Sequence, residues 1–144
     1  MRYSNSIMLP HSNQQVFDLV ADIESYPEFL PGWKNARVLD RQKNQIYAEQ
    51  HLHIGPVEFR FHTTAVLEPC SEIQISSSSG PFRELNIDWR FTSVSDGECR
   101  ATIDIKSIMQ PGLKNAVLYL LLEAGSSKLL PLFEQRARVL YGYA

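Results

Sequence analysis

The chain has 144 residues and a mass of 16.5 kDa, the length of one domain. At this size folding buries about 68–70% of the surface an unfolded chain exposes, so a core forms without disulfide staples. Hydrophobic residues make up 44% and charged residues 21%, which excludes a disordered chain; the formal charge of −2 supplies no global field toward nucleic acid, and DNA is not an expected partner.

In chain order, Tyr3 to Leu9 predicts a short strand closed by Pro10. Ser12 suits a helix N-cap, and Gln15 stands three residues later as its capping-box partner. Val16, Phe17, Leu19, Val20 and Ile23 share one face, so His11 to Asp22 holds a short amphipathic helix. Tyr26 to Trp33 carries Pro27, Pro31 and Gly32, which predicts a turn of helix or a tight loop presenting exposed aromatics.

The middle of the chain alternates with period two. Val57, Phe59, Phe61, Thr63, Ala65 and Leu67 form one row, Leu85, Ile87, Trp89 and Phe91 a second, and Cys99, Ala101, Ile103 and Ile105 a third. Such alternation predicts antiparallel strands with one dry and one wet face. Weaker strands are expected at Ala36–Arg41, Ile46–Ile54 and Glu72–Ser78, with turns at Gly55-Pro56 and Asp96-Gly97. The C-terminus changes to helical spacing. Leu113, Val117, Leu120, Leu121 and Ala124 share a face, continued by Leu129, Leu130, Phe133, Ala137, Leu140 and Tyr141. Pro131 predicts a kink or break near Ser127, and Gly142 an end.

A sheet with one apolar face must cover it, and only the terminal helix is long enough. The expected architecture is α+β: a curved antiparallel sheet wrapped around a long C-terminal helix, with two short helices after strand 1, in one domain spanning 1–144. An apolar cavity between sheet and helix is then the candidate ligand site. Its expected lining is Phe59, Phe61, Leu85, Ile87, Trp89, Phe91 and Ile103 from the strands, with Val117, Leu121 and Phe133 from the helix. Tyr26, Pro27, Phe29, Leu30 and Trp33 either pack down to cap the barrel end, as loop aromatics most often do, or form a lid or interface with a membrane edge, since Trp and Tyr suit the boundary between lipid and water.

Catalytic and metal chemistry have thin support. His51, His53 and His62 lie on the wet face without a third ligand at metal spacing. The serines lack a nucleophile elbow, and no cofactor is expected. Glu49, Glu58, Asp88 and Asp104 fall on the wet face, away from the hollow. Cys70 and Cys99 read as two reduced thiols. Lys34, Arg37, Arg41 and Lys43 against Asp40 make a basic strip, a candidate contact for anionic lipid or RNA. The longest apolar run, Ala116 to Leu122, is interrupted by Tyr119 and falls far short of the ~20 residues of a membrane span. No signal-like stretch opens the chain, so a soluble, cytoplasmic protein is expected.

The segment Asp22-Ile-Glu-Ser-Tyr-Pro-Glu-Phe-Leu-Pro31, the triplet Gly80-Pro81-Phe82, the pair Trp89 and Phe91, and the ending Phe133-Glu-Gln-Arg-Ala-Arg-Val-Leu-Tyr-Gly142 together resemble the coenzyme Q-binding protein family. That family includes bacterial ribosome-association toxins and members called oligoketide cyclases. Gly32-Trp33-Lys34 and Pro131 depart from its usual pattern. The resemblance implies a START-like, helix-grip fold and non-enzymatic binding of a polyprenyl quinone such as ubiquinone, or a related lipid, in support of respiration. It also implies two alternatives: a toxin that docks on the large ribosomal subunit and blocks subunit joining, and a polyketide cyclase-like enzyme.

Overall fold

A computed structural model describes residues 1–142; the last two residues of the expected domain, Tyr143 and Ala144, lie outside the described residues. Seven strands form one sheet: β1 (Arg2–Leu9), β2 (Trp33–Gln42), β3 (Gln45–Ile54), β4 (Val57–Glu68), β5 (Glu72–Ser77), β6 (Phe82–Ser95) and β7 (Glu98–Met109). Their spatial order is β1-β7-β6-β5-β4-β3-β2, antiparallel throughout. Between β1 and β2 lie helix α1 (Asn13–Ala21) and a 3-10 turn (Ile23–Glu28); α2 (Leu113–Gly125) and α3 (Leu129–Tyr141) follow β7.

Local chemistry explains the entry into α1. The Gln15 backbone N–H donates to Ser12 Oγ at 3.1 Å, and the Ser12 N–H donates to Gln15 Oε1 at 3.0 Å, which satisfies two otherwise orphaned donors. Val16, Phe17, Leu19 and Val20 then face the core. Ser12→Ala removes half of this box, and a loss of about 1 kcal/mol is expected in urea denaturation.

Alternation places each strand's rows as expected. Phe59, Phe61, Thr63 and Ala65 of β4 are buried, as are Leu85, Trp89 and Phe91 of β6 and Cys99, Ala101, Ile103 and Ile105 of β7. The register sets Trp89 opposite Ile103, Ile87 opposite Ile105 and Leu85 opposite Ser107, so these side chains share the concave face.

The terminal helix is two helices joined by a 3-10 turn, Ser126–Lys128. The break falls where Pro131 predicted one, and Pro131 itself occupies the first turn of α3, where a missing N–H costs nothing. Only α3 packs into the grip, through Leu130, Phe133 and Ala137. Gly142 ends it at φ +91°, and Tyr141 Oη donates to the Gln15 carbonyl at 3.0 Å, tying α3 to α1.

Helix α2 does something else. It starts beyond the end of β7, and its Leu121 stands over Gly55 in the β3–β4 turn, 3.3 Å from where a Cβ would sit. Antiparallel pairing puts both features at the same end of the sheet, so α2 lies across that end. Its sole buried residue is Leu118, while Leu113 is 84%, Leu120 65% and Val117 39% exposed. The expected inward face of Leu113, Val117 and Leu120 therefore points outward. From Ala116 to Leu122 every position of α2 but Tyr119 is apolar, so periodicity there does not mark which side is buried. The helical run Leu113–Tyr141 is also long and apolar enough to cross a membrane, by length and composition alone. Lys114, Asn115, Glu123 and Lys128 break it into shorter apolar runs, of which Ala116 to Leu122 is one.

Candidate functional site

Two aromatic groups line the concave face. Near the end covered by α2, Phe59, Phe61 and Phe82 form one: Phe82 meets Phe61 edge-on at 5.1 Å, and Phe59 stacks on Phe61 at 5.8 Å. The second centres on Phe133 of α3, whose ring contacts Trp89 at 5.0 Å, Phe29 at 5.2 Å and Tyr26 at 5.7 Å. The loop aromatics are therefore packed down on this end of the barrel rather than presented as an exposed edge. Tyr26 and Leu30 are buried, and Pro27, Phe29 and Trp33 are half-buried. The Tyr26 hydroxyl donates to the Val20 carbonyl, and burial raises its pKa above the ordinary tyrosine value. Apolar rings next to an open edge gain more from packing on Phe133 than from water. Arg136 closes the segment from α3, with its guanidinium 5.2 Å from the Phe29 ring centre and 3.6 Å from Glu28.

Of the expected lining, Phe59, Phe61, Leu85, Trp89, Phe91, Ile103 and Phe133 are buried on the concave side. Ile87 and Leu121 are half-buried. Val117 is the exception, since α2 turns it toward solvent.

Polar groups that the sequence reading passed over stand among them. Trp33 Nε1 donates to Gln50 Oε1 at 3.0 Å, and Gln50 Nε2 donates to Thr63 Oγ1 at 3.3 Å, with Gln50 and Thr63 both buried. Ser107 of β7 is buried as well. All three occupy dry-face positions of their strands: Gln50 in the row Ile46, Ala48, Leu52, Thr63 within β4, and Ser107 after Ile103 and Ile105. A polar residue in the apolar phase of an alternating strand is the signal that would have found them.

Beside α2 a groove of about 670 Å³ opens between Asn115, Ala116, Tyr119 and Leu120 on the helix and Ser107, Ile108 and Met109 on β7. Its volume suits a small molecule. A smaller depression of about 380 Å³ lies on the convex face among Tyr47, His62 and the serines of β5 and its exit.

Charge is arranged on the convex side. Lys34 pairs with Glu58 at 3.5 Å and Arg37 with Glu49 at 3.8 Å, which offsets half of the basic strip and leaves Arg41 and Lys43 exposed. His51 hydrogen-bonds Glu58, and this contact, with Lys34 beside it, holds the Glu58 carboxyl below its usual range. Asp88 pairs with Arg90 at 3.1 Å, yet burial and then Glu72 raise its pKa. Asp104 accepts from Ser4. None of these carboxylates stands in a concave-face row of its strand. Cys70 and Cys99 are free thiols, and burial pushes Cys99 up to about 11. Among the described residues, no group of three or more His, Cys, Asp or Glu is placed to hold a metal ion.

A curved antiparallel sheet gripping a terminal helix packed on its aromatic concave face, with a second helix across its end, defines a START-like helix-grip protein. The chain belongs to the polyketide cyclase / dehydrase and lipid transport family, whose pattern matches residues 9–130. It is 34% identical over 137 residues to the ribosome association toxin RatA of Pseudomonas aeruginosa, covering 95% of each chain. It is 25% identical to the mitochondrial coenzyme Q-binding protein COQ10 homolog B of Xenopus laevis, covering 99% of this chain and 60% of that protein. In shape it is similar to the Zhui aromatase/cyclase of Streptomyces sp. R1128, with a TM-score of 0.84 and 13% identity over 96% of this chain and 95% of that one.

Proposed function

We propose that the protein binds, without chemically altering it, an amphipathic apolar molecule between the sheet and the C-terminal helices: a polyprenyl quinone or related isoprenoid lipid. The observation that carries this reading is α2, an apolar helix that buries only Leu118 and flanks a groove of ligand size. A helix anchored so lightly costs little to lift and gains contacts when a tail slides beneath it. Desolvation supplies the affinity. At about 25 cal/mol per Å², a few hundred Å² of tail provides the gross free energy of micromolar binding before ordering costs. The lipid transport description of the family and the similarity to a coenzyme Q-binding protein support this reading.

Native mass spectrometry of the purified protein, followed by organic extraction, tests it. The expected result is a bound lipid that extraction releases, or stoichiometric uptake of added quinone. A protein that carries none and takes up none ends the proposal.

The 34% identity to RatA along 95% of both chains favours a second reading, association with the large ribosomal subunit. Here the strip from Lys34 to Lys43 makes the contact, and affinity falls steeply with added salt. Replacing Lys34, Arg37 and Lys43 with Ser abolishes co-sedimentation with large subunits under this reading; unchanged sedimentation removes the strip from it. Quinone binding responds little to salt under either outcome.

A further inference from the structure

One row of side chains crosses the convex face in register. Tyr47 of β3 pairs with Thr64 of β4, Thr64 with Ser76 of β5, Ser76 with Asn86 of β6, Asn86 with Lys106 of β7, and Lys106 with Arg2 of β1. The depression of about 380 Å³ sits on this row, lined by Tyr47, His62, Thr64, Ser76, Glu84 and Asn86. The Tyr47 ring lies almost parallel to that of His62, at 10° and 5.6 Å between centres, and is still 42% exposed. Core packing does not explain an aromatic on the wet face of a strand, and two parallel rings offer a platform on which a third flat ring continues the stack. Beside the platform stand the hydroxyls of Thr64 and Ser76, without a hydrogen-bond partner among the described residues. Asn86 Nδ2 donates to Glu84 at 2.8 Å, which leaves Asn86 Oδ1 as an acceptor.

Charge separates what fits inside the depression from what stays outside. The one basic side chain lining it, His62, faces Glu49 at 3.4 Å, and the one carboxylate, Glu84, is held by Asn86. Cations stand at the two ends of the row instead. Lys106 is beside Asn86, while Arg41 and Lys43 flank Asp40 beyond Tyr47, and none of the three is in an ion pair among the described residues. A flat, uncharged ring with polar edges and an anionic link on either side is the chemistry of a nucleotide base in a single strand.

We infer that the depression holds an unpaired base of a single-stranded RNA segment. The base stacks on Tyr47, its edge hydrogen-bonds Thr64, Ser76 and Asn86, and the flanking phosphates reach Lys106 on one side and Arg41 and Lys43 on the other. The inference rests on the ribosome reading above and adds to its basic strip a contact that does not depend on charge. Paired RNA hides its base faces in the stack, so the site selects an unpaired segment.

Co-sedimentation with purified large subunits across a salt series tests this, comparing wild type with Tyr47→Ala, Tyr47→Phe and Lys106→Ser. Both positions are exposed, so circular dichroism of the variants matches wild type. Y47A weakens association about tenfold, the size of one lost stack, and leaves the slope of log affinity against log salt unchanged. Y47F keeps the ring and binds like wild type. K106S lowers the slope by about 0.7, the release of one phosphate contact on a single strand. Ultraviolet crosslinking of the wild-type complex attaches ribosomal RNA to Tyr47. Y47A as tight as wild type, Y47F as weak as Y47A, or crosslinks confined to other residues overturns the stacked base while the ribosome reading stands. An unchanged slope in K106S overturns the phosphate path. A wild type that does not sediment with large subunits overturns this inference and the ribosome reading together.

Discussion

Phe133→Ala is expected to cost about 3–5 kcal/mol, the range for removing a fully packed phenylalanine. Its ring is 5% exposed and is the common partner of Trp89, Phe29 and Tyr26, so truncation removes three edge-to-face contacts as well as apolar area. Total stability of a domain this size is about 5–15 kcal/mol, so the variant folds but melts about 10 °C or more below wild type. The damage reaches further along the chain. With Phe133 gone, Tyr26 and Phe29 lose the surface that holds them down, and the Arg136 guanidinium over Phe29 loses its seat. Near-ultraviolet circular dichroism reads this as loss of the ordered aromatic signal. Phe61→Ala provides the contrast, since Phe61 stacks on Phe59, meets Phe82 edge-on and has no ring contact with Phe133. It is expected to weaken quinone binding with a smaller loss of stability. Equal stability losses in the two variants, with unchanged ligand affinity in F61A, would make both aromatic groups plain core.

The second large effect is expected at Gly80, in the turn from β5 to β6. Its φ is +60°, and a Cβ there would lie 2.2 Å from the Arg60 carbonyl oxygen and 3.1 Å from Phe61 Cβ. Backbone cannot yield as a flexible side-chain tip does. Gly80→Ala therefore adds a steric collision to the ~1–2 kcal/mol of a left-handed alanine, for a total of about 3 kcal/mol or more. Gly97 isolates the conformational part. Its φ is +75° in the β6–β7 hairpin, and a methyl group added there would meet nothing within 4 Å. Gly97→Ala is expected to cost about 1 kcal/mol. Chemical denaturation of the pair reads the difference. A G80A midpoint close to that of G97A would mean that the turn shifts freely away from β4.

The signals legible in the sequence are local ones. Ser12 and Gln15 specify their cap because the partners are three residues apart. The rows of β4, β6 and β7 specify their dry faces because side chains on a strand alternate whatever the strand pairs with. The segment from Tyr26 to Trp33 stays open between cap and exposed edge for the opposite reason. Its prolines advertise a loop, but the partner that buries Tyr26 lies on α3, more than a hundred residues away. Gln50, Thr63 and Ser107 are legible in principle as polar residues in apolar phase, but their meaning depends on what faces them across the hollow.

Amino-acid order alone therefore determined the α+β class, the strand rows, the helix cap and the break before Pro131, all set by contacts within a few residues or by a two-residue period. Tertiary structure decided that α2 crosses the sheet end with Leu113, Val117 and Leu120 outward, that the proline-flanked aromatics fold onto Phe133, and that the Ser107 hydroxyl is buried without a partner. An apolar helix has no preferred side until something is packed against it. A hydroxyl is neither satisfied nor orphaned until the surrounding chain has taken its place, and both depend on residues far apart in sequence.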